Sequence, residues 1–316
     1  MTKHHDLGYR ELFSYPELVR QLIEGFAPAE VAAMMDFSTL TNHSGNYITP
    51  LFEEKLEDVV WSVEAHWQGI TTKVFLFLLL EFQSSVDPRM PLRMSHYVTC
   101  FYDHLIKTKV TTPQRGLPPV FPIVLYNGKE SWTVAKDIYE QICPAPPAFL
   151  TVYQLRLRYF LIDESRYSQE ELDQIDTPLS GIFQIETATR NWASLQAAID
   201  RLARLICADP NKERLDELIT RWLKRHLLRL GAMVKVDLEK INSLVEDKTM
   251  LAENLENLMK RERADAWQGG LQEGQQIGEK IGLQKGEKIG HQKGRQEGQQ
   301  IGEKIGRQKG RIESSL

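Results

Sequence analysis

Cysteine and long apolar runs are both scarce in this sequence. The three cysteines, Cys100, Cys143 and Cys207, are far apart, and no CxxC pair occurs. This pattern excludes a disulfide scaffold and a cysteine-based zinc site. The longest strongly apolar run covers only residues 74–80, which is far too short to cross a membrane. The segment 1–13 has no apolar signal-peptide core, so we expect a cytoplasmic protein with no membrane partner.

The sequence also lacks a large net charge and a phosphate-binding loop. Its 39 basic and 43 acidic residues give a formal charge of −4. A polybasic DNA binder is therefore excluded, whereas a DNA enzyme with a local basic groove is not. No GxxxxGK[ST] motif occurs, so ATP use is unsupported, and the histidines show no HxH or HExxH spacing. With 42% hydrophobic residues in 316, the chain can form one sizeable core or two modest ones.

The first two thirds of the chain combine helical and strand patterns. Apolar spacing predicts a helix over 6–26 that Pro16 breaks in two, and a helix from Asp87-Pro88 to about 109. Strands are predicted at 56–66, 70–83, 121–126 and 157–163. The strand at 70–83 is apolar on both faces, so we expect it to be central. After about 180 the pattern is helical, with amphipathic stretches at 192–207 and 213–230 and a further helical hairpin at 234–266.

The C-terminal tail has a glycine at every fourth position from Gly270 to Gly310. The string EGQQIGEKIG occurs at 273–282 and again at 297–306, which indicates growth by duplication. Each glycine costs roughly 0.8–1 kcal/mol relative to alanine in a helix. We therefore expect a flexible tail, with a helix ordered by a partner or by self-association as the alternative. The polar residues between the glycines exclude a membrane span.

Three polar residues lie at the ends of two consecutive predicted strands. Asp58 lies near the start of one strand, and Glu81 and Gln83 close the next. Residues two apart in a strand share a face, so Glu81 and Gln83 project together, and a hairpin would bring Asp58 close to them. Two carboxylates can hold a hard divalent cation, which can activate water against a phosphodiester. The bland alternative is a solvated strand terminus, which is weakest for Glu81 because it follows the apolar run VFLFLLL.

Other polar residues have structural explanations that compete with a role in a site. Glu64 is an even number of residues from Asp58 on the same predicted strand, so it shares the face of Asp58. It is expected to be solvated. Asn127-Gly128 is expected to form a turn. The histidines His4, His5, His96 and His104 are expected to pack or to lie on the surface rather than to bind metal.

Several sequence blocks together resemble the Rpn family of recombination-promoting nucleases, also called YhgA-like or putative transposases. The blocks are HDLGYRELFS, EDVVWSV, LLLEFQSSVDPRMPLRMSHY and PIVLYNGKESW, and their order and spacing match over about residues 4–165. The glycine-every-four tail is also similar to that of the family. The EFQSS block followed by DPRMPLR, together with LYNG, is the most specific part.

The resemblance implies an α/β fold of the PD-(D/E)xK nuclease type, in which helices flank a mixed central sheet. It implies DNA cleavage with Mg²⁺ or another divalent cation, with Asp58 and Glu81 as catalytic metal ligands. Gln83 occupies the position usually held by lysine, and it can hydrogen-bond water or phosphate but carries no charge. Asp6 matches the HD block as a further metal-site residue or, equally, a helix cap. Arg93 is a candidate phosphate clamp or a structural salt bridge.

The predicted domain organisation has three parts. Residues 1–180 form the nuclease-like domain, 181–268 a helical region, and 269–316 the repetitive tail. The expected function is a metal-dependent DNA endonuclease with an implied role in recombination or mobile-element biology. The alternative is a weak or inactive nuclease-fold protein that binds DNA or protein, with self-association through the helical region or tail. A DDE transposase would need a third separated carboxylate and a DNA-binding module, and neither is evident.

Overall fold

The structure is a computed structural model of the full chain. It describes residues 3–43, 59–81, 86–128, 130–188, 192–230 and 240–313. The chain forms two compact units, residues 1–255 and 256–316. The division falls after Leu255, and the domain boundaries predicted from the sequence at 180 and 268 stay predictions.

The first unit contains a five-stranded mixed sheet in the order β1-β2-β3-β4-β5. The strands are β1 (Met35–Asn42), β2 (Val59–Trp67), β3 (Ile70–Glu81), β4 (Val120–Tyr126) and β5 (Phe160–Asp163). β1 and β3 run antiparallel to β2, whereas β3, β4 and β5 are mutually parallel neighbours. The predicted α/β class is confirmed, and β3 is the central strand as its apolar character predicted. β1 was not predicted.

β2 and β3 form the predicted hairpin. Trp67 pairs with Ile70, so the loop consists of Gln68 and Gly69 alone. Both have positive φ angles, 49° and 77°, which is the backbone of a type I′ turn and matches the right-handed twist of the strands. The hairpin fixes the register of the two strands down to the pair of Val59 with Leu78.

The two faces of the sheet are buried by different helices. Alternating residues such as Trp61, Leu76 and Leu125 belong to a large core that also includes the first two helices and the later helices. Phe75 and Val124, on the other parity, belong to a smaller core with the helix that follows β3. Burial on both faces explains why β3 and β4 are apolar throughout rather than alternating.

The helices are α1 (Lys3–Leu12), α2 (Pro16–Phe26), α3 (Ala29–Ala33), α4 (Met90–Lys107), α5 (Ala148–Thr151), α6 (Gln169–Gln174), α7 (Pro178–Thr187), α8 (Trp192–Ala208), α9 (Lys212–Leu230) and α10 (Lys248–Glu313). The predicted break at Pro16 is confirmed, with Pro16 as the first residue of α2. In the described part of 234–266, one helix begins at Lys248, so the predicted hairpin is wrong for that part.

The predicted start of α4 at Asp87-Pro88 needs a correction. The helix begins at Met90, its N-cap is Arg89, and the proline in its first turn is Pro91. Asp87 instead forms a turn before the helix, in which its Oδ1 accepts a hydrogen bond of 2.8 Å from the Arg89 N–H. The short-range hydrogen bond of an aspartate side chain competes with helix formation, and the helix starts two residues later than predicted.

The helices after β5 share the large core of the sheet. Leu179 and Phe183 of α7, Leu202 of α8 and Trp222 of α9 are buried in the same cluster as Trp61. The indole N–H of Trp61 donates a hydrogen bond of 2.9 Å to the Phe13 carbonyl oxygen, which ties the helix α1 region to the sheet. The helices after residue 178 therefore complete the hydrophobic core that the sheet begins.

The second unit is helical through Glu313, as part of α10. The stronger expectation, a flexible tail, is not what the structure shows, and ordering of the helix by a partner stays a prediction. Every residue from 264 to 307 is exposed. The residues between the glycines are mostly Gln, Glu, Lys and Arg, which favour helix and offset part of the glycine cost. Among the described residues, no helix is both long enough and apolar enough to span a membrane.

Candidate active site

The three parallel strands end in one row. The Cα atom of Glu81 pairs with that of Tyr126, and Tyr126 in turn pairs with Asp163. Neighbouring strands lie about 4.8 Å apart, so Glu81 and Asp163 are separated by roughly 10 Å across the sheet. Ligand sites of α/β folds lie at the carboxyl ends of parallel strands. This row is therefore the candidate site; β3 ends at Glu81, and the role of Glu81 in the site stays a prediction.

The structure gives less information on the other predicted site residues. Asp58 and Gln83 lie outside the described residues. Asp58 directly precedes Val59, the first described residue of β2, and Gln83 follows Glu81 by two positions. Asp6 lies within α1, and α1 contacts β3. The assignment of Asp58, Gln83 and Asp6 to one site with Glu81 stays a prediction.

Tyr126 anchors the middle of the row. It is fully buried, and its hydroxyl donates a hydrogen bond of 2.9 Å to the carbonyl oxygen of Glu130. A Cβ atom on Gly128 would lie 2.0 Å from that hydroxyl. The predicted turn at Asn127-Gly128 is instead an irregular segment after β4. Gly128 is there because the tyrosine ring occupies the space that a side chain would need.

Asp163 is a strand-end carboxylate that sequence reasoning missed. Its side chain is almost fully buried, and Oδ1 accepts hydrogen bonds from the Ser165 N–H at 3.2 Å and the Ser165 hydroxyl at 2.7 Å. Nε of Arg166 lies 3.5 Å from Oδ2. The signal was the same as for Glu81, an acidic residue at the end of an apolar strand. The hydrogen bonds assign Asp163 to capping the short 3₁₀ helix that follows β5.

Arg93 forms a salt bridge on the α4 side of the sheet. Its Nη1 lies 3.0 Å from Oδ2 of Asp87, and its side chain is 17% exposed. Burial favours the neutral acid, but the hydrogen bond from the Arg89 N–H and the ion pair with Arg93 together lower the pKa of Asp87. Of the two sequence alternatives for Arg93, the structural salt bridge is therefore present.

A buried polar network beside β5 was also missed. Tyr9 of α1 donates a hydrogen bond of 3.1 Å to Oε2 of Glu164. Burial, together with the nearby Glu186 carboxylate, raises the pKa of Glu164 well above its usual range. Glu186 itself lies 3.2 Å from Nδ1 of His226. The network joins α1, the end of β5, α7 and α9, and these contacts between distant segments leave no periodic pattern in the sequence.

Comparison with known proteins decides the family. A family model described as "Putative transposase, YhgA-like" matches residues 3–217, which is well over half of the chain. The protein belongs to this family. The match covers the sheet, helices α1 to α8 and the beginning of α9, so the candidate site lies within it. No solved structure matches the chain.

Three curated proteins of Escherichia coli (strain K12) are among the relatives of this YhgA-like protein. The recombination-promoting nuclease RpnA is 29% identical over 40% of this chain and 41% of its own length. The recombination-promoting nuclease RpnC is 30% identical over 40% of each chain. The inactive recombination-promoting nuclease-like protein RpnE is 24% identical over the same share of each. The aligned part thus spans about 40% of each relative.

Proposed function

We propose that this protein is a metal-dependent DNA endonuclease that hydrolyses phosphodiester bonds. The observation that carries the proposal is the position of Glu81, at the carboxyl end of the central strand of a mixed sheet. Two relatives named as recombination-promoting nucleases support the same activity. An order of three antiparallel strands followed by parallel ones, with helices on both faces, is the arrangement expected for a PD-(D/E)xK core. The proposed biological role is in DNA recombination or mobile-element biology.

The register of the hairpin supports a role for Asp58 beside Glu81. Val59 pairs with Leu78, Asp58 precedes Val59, and Glu81 lies three residues beyond Leu78. If the pairing continues one residue before Val59, positions 58 and 81 form a diagonal pair on one face, and such pairs lie about 7–8 Å apart in an antiparallel hairpin. Carboxylates that reach toward each other from this spacing can share one cation.

The chemistry of the donor set fits Mg²⁺. Asp58 and Glu81 offer only hard oxygen ligands, which Mg²⁺ and Ca²⁺ prefer to nitrogen or sulfur. When bound, such a cation supplies a Lewis acid and an activated water. Asp6 is the weaker ligand, because α1 packs on the face of Leu76 while position 81 has the parity of Phe75 on the other face. We propose Asp58 and Glu81 as the ligands that the activity requires.

Gln83 would position the reacting groups rather than supply charge. Its amide can donate a hydrogen bond to a phosphate oxygen and accept one from water. A lysine at this position would add a positive charge beside the developing negative charge of the phosphorane. The rate is therefore expected to be lower than with lysine but not zero.

A second candidate function is a nuclease-fold protein that binds DNA or protein without cleaving. The similarity to RpnE, which is named as inactive, and the glutamine at position 83 favour it. Incubating the purified full-length protein with supercoiled plasmid in Mg²⁺ and in EDTA separates the two candidates. Nicked or linear product that depends on Mg²⁺ supports the endonuclease. Plasmid that is bound but stays intact under both conditions supports the binding protein.

A further inference from the structure

A cavity of about 380 Å³ lies between the sheet and the second half of α4. It is distinct from the row of strand ends at Glu81. The residues that line it are His43, Ser62, Lys73, Phe75, His104, Thr108 and Val110. Val110 at its rim is 55% exposed and Lys73 is exposed, so the cavity opens to solvent.

The chemistry of the cavity is cationic. Lys73 carries a positive charge, and His43 and His104 add imidazole side chains to the lining. None of the described residues that line the cavity is a carboxylate. Glu64, the cross-strand partner of Lys73, does not line the cavity. An open cavity lined by a lysine, two imidazoles and two hydroxyls suits a phosphate group.

His43 is held in a defined orientation within this cavity. Its Nε2 lies 2.8 Å from the hydroxyl oxygen of Ser62, and its ring packs at 5.5 Å from the ring of Phe75. Ser62 is 1% exposed, so the hydroxyl is fixed by the strand on which it lies. Burial, followed by the charge of Lys73, lowers the pKa of His43. Burial and the ammonium of Lys73 both disfavour a protonated His43, and a bound anion would offset the effect of the ammonium.

The cavity and position 81 lie on the same face of the sheet, because alternate residues of a strand share a face. Phe75, which lines the cavity, is six residues from Glu81 along β3, so their positions have the same parity. Six residues of strand span about 20 Å. One DNA strand carries a phosphate for every 3.4 Å of helix axis, so this distance corresponds to roughly six phosphates. The separation between the two places is therefore within the length of one bound DNA segment.

We propose that this cavity binds a backbone phosphate of the DNA on which the nuclease centre acts, with Lys73 as the principal charged contact. The inference rests on the proposed function for its ligand. Lys73 supplies the charge, and His43, held by its contact with Ser62, forms part of the wall of the cavity. Contacts of this kind set the register of DNA without reading its sequence.

The test measures DNA binding without cleavage. Full-length protein is titrated into a fluorescent DNA duplex in EDTA at several salt concentrations. Lys73→Gln should weaken binding about fivefold and lower the slope of log K against log salt by about 0.9, the value for one lost phosphate contact. Lys136→Gln removes an exposed lysine elsewhere and should leave both quantities unchanged. Glu64→Gln removes the negative charge opposite Lys73 and should strengthen binding.

Further arms of the test keep this inference separate from the nuclease proposal. If the wild type binds the duplex but Lys73→Gln behaves as Lys136→Gln does, the phosphate site is overturned. If inorganic phosphate binds in a Lys73-dependent way while the duplex does not, the cavity is a small-anion site and the assignment to DNA is overturned. If binding depends on Lys73 but Mg²⁺ never yields cleavage, the phosphate site stands and the endonuclease proposal fails.

Discussion

The hydroxyl of Tyr9 and Oε2 of Glu164 lie 3.1 Å apart, although the two residues are 155 positions apart in the chain. Both side chains are fully buried or nearly so. The hydrogen bond connects the first helix to the end of β5, on the side of the molecule where α7 and α9 complete the core. It therefore ties the start of the chain to the segment that follows the last strand.

Replacing Tyr9 with phenylalanine should destabilise the protein. The substitution removes the hydroxyl and leaves Glu164 buried without its donor, and an unsatisfied buried polar group costs about 1–3 kcal/mol. For a unit of this size the melting temperature should fall by roughly 2–4 °C per kcal/mol. Tyr153→Phe, at a side chain that is 80% exposed, is the matched control and should not shift the melting temperature. Equal melting of the two variants would show that the hydrogen bond does not contribute to stability.

Replacing Glu164 with glutamine should change how stability depends on pH. Burial first, and then the Glu186 carboxylate, raise the pKa of Glu164 above its unfolded value. The folded state therefore favours the neutral acid, and stability is lost as the pH rises from the unfolded value of about 4.5 toward the raised one. Glutamine stays neutral and can still accept from Tyr9. Glu164→Gln should thus gain stability over the wild type as the pH rises above about 5.

The measurement for Glu164 is chemical denaturation of both proteins across that pH range. The difference in unfolding free energy should grow with pH in favour of the glutamine variant. A difference that is constant with pH, or that favours the wild type more as the pH rises, would contradict a raised pKa.

Replacing Gly128 with alanine adds only one methyl group but should destabilise the protein strongly. The added methyl carbon would lie 2.0 Å from the Tyr126 hydroxyl oxygen, so either the ring or the segment after β4 must move. Moving the ring breaks the hydrogen bond to Glu130 and disturbs a core with few voids. Gly278→Ala, where no atom lies within 4 Å of the new carbon, is the control. Thermal melting should fall for Gly128→Ala and not for Gly278→Ala, and the reverse order would refute this packing.

Substitutions at Gln83 should separate charge from hydrogen bonding in the proposed mechanism. Gln83→Lys should keep or raise the cleavage rate, because a cation would lie beside the scissile phosphate. Gln83→Leu should lower the rate strongly, since it removes the hydrogen bond while keeping a similar volume. Cleavage rates are compared at saturating Mg²⁺ on proteins whose melting temperatures are equal. The same rate for glutamine, lysine and leucine would remove Gln83 from the mechanism.

The sequence was most informative where burial is continuous. The apolar run before Glu81 predicted the central strand, and Pro16 predicted the break between the first two helices; both are confirmed. β1 was missed because its residues, MDFSTLTN, are mostly half-buried and polar, so they show no clean alternation. The strand forms because it pairs with β2, which is a tertiary effect that overrides weak local propensity.

The candidate site was predictable only in part. An acidic residue at the end of an apolar strand is visible in sequence, and the structure places Glu81 at the end of the central strand. The row formed with Tyr126 and Asp163 depends on the register of three parallel strands, which no local pattern encodes. The pairing of Tyr9 with Glu164 and the cavity around Lys73 likewise depend on contacts between distant segments. Gly128 was predicted for its turn propensity, whereas the structure explains it by the tyrosine ring that it accommodates.

The central claim is that Asp58 and Glu81 hold the cation of a DNA endonuclease. The most direct measurement is plasmid cleavage in Mg²⁺ by the wild type, Asp58→Ala, Glu81→Ala and the control Glu30→Ala, an exposed acidic residue, with melting measured in parallel. The account predicts cleavage by the wild type and Glu30→Ala, none in EDTA, and none by the folded Asp58 and Glu81 variants. Full activity in either of those two variants, with melting unchanged, would contradict it.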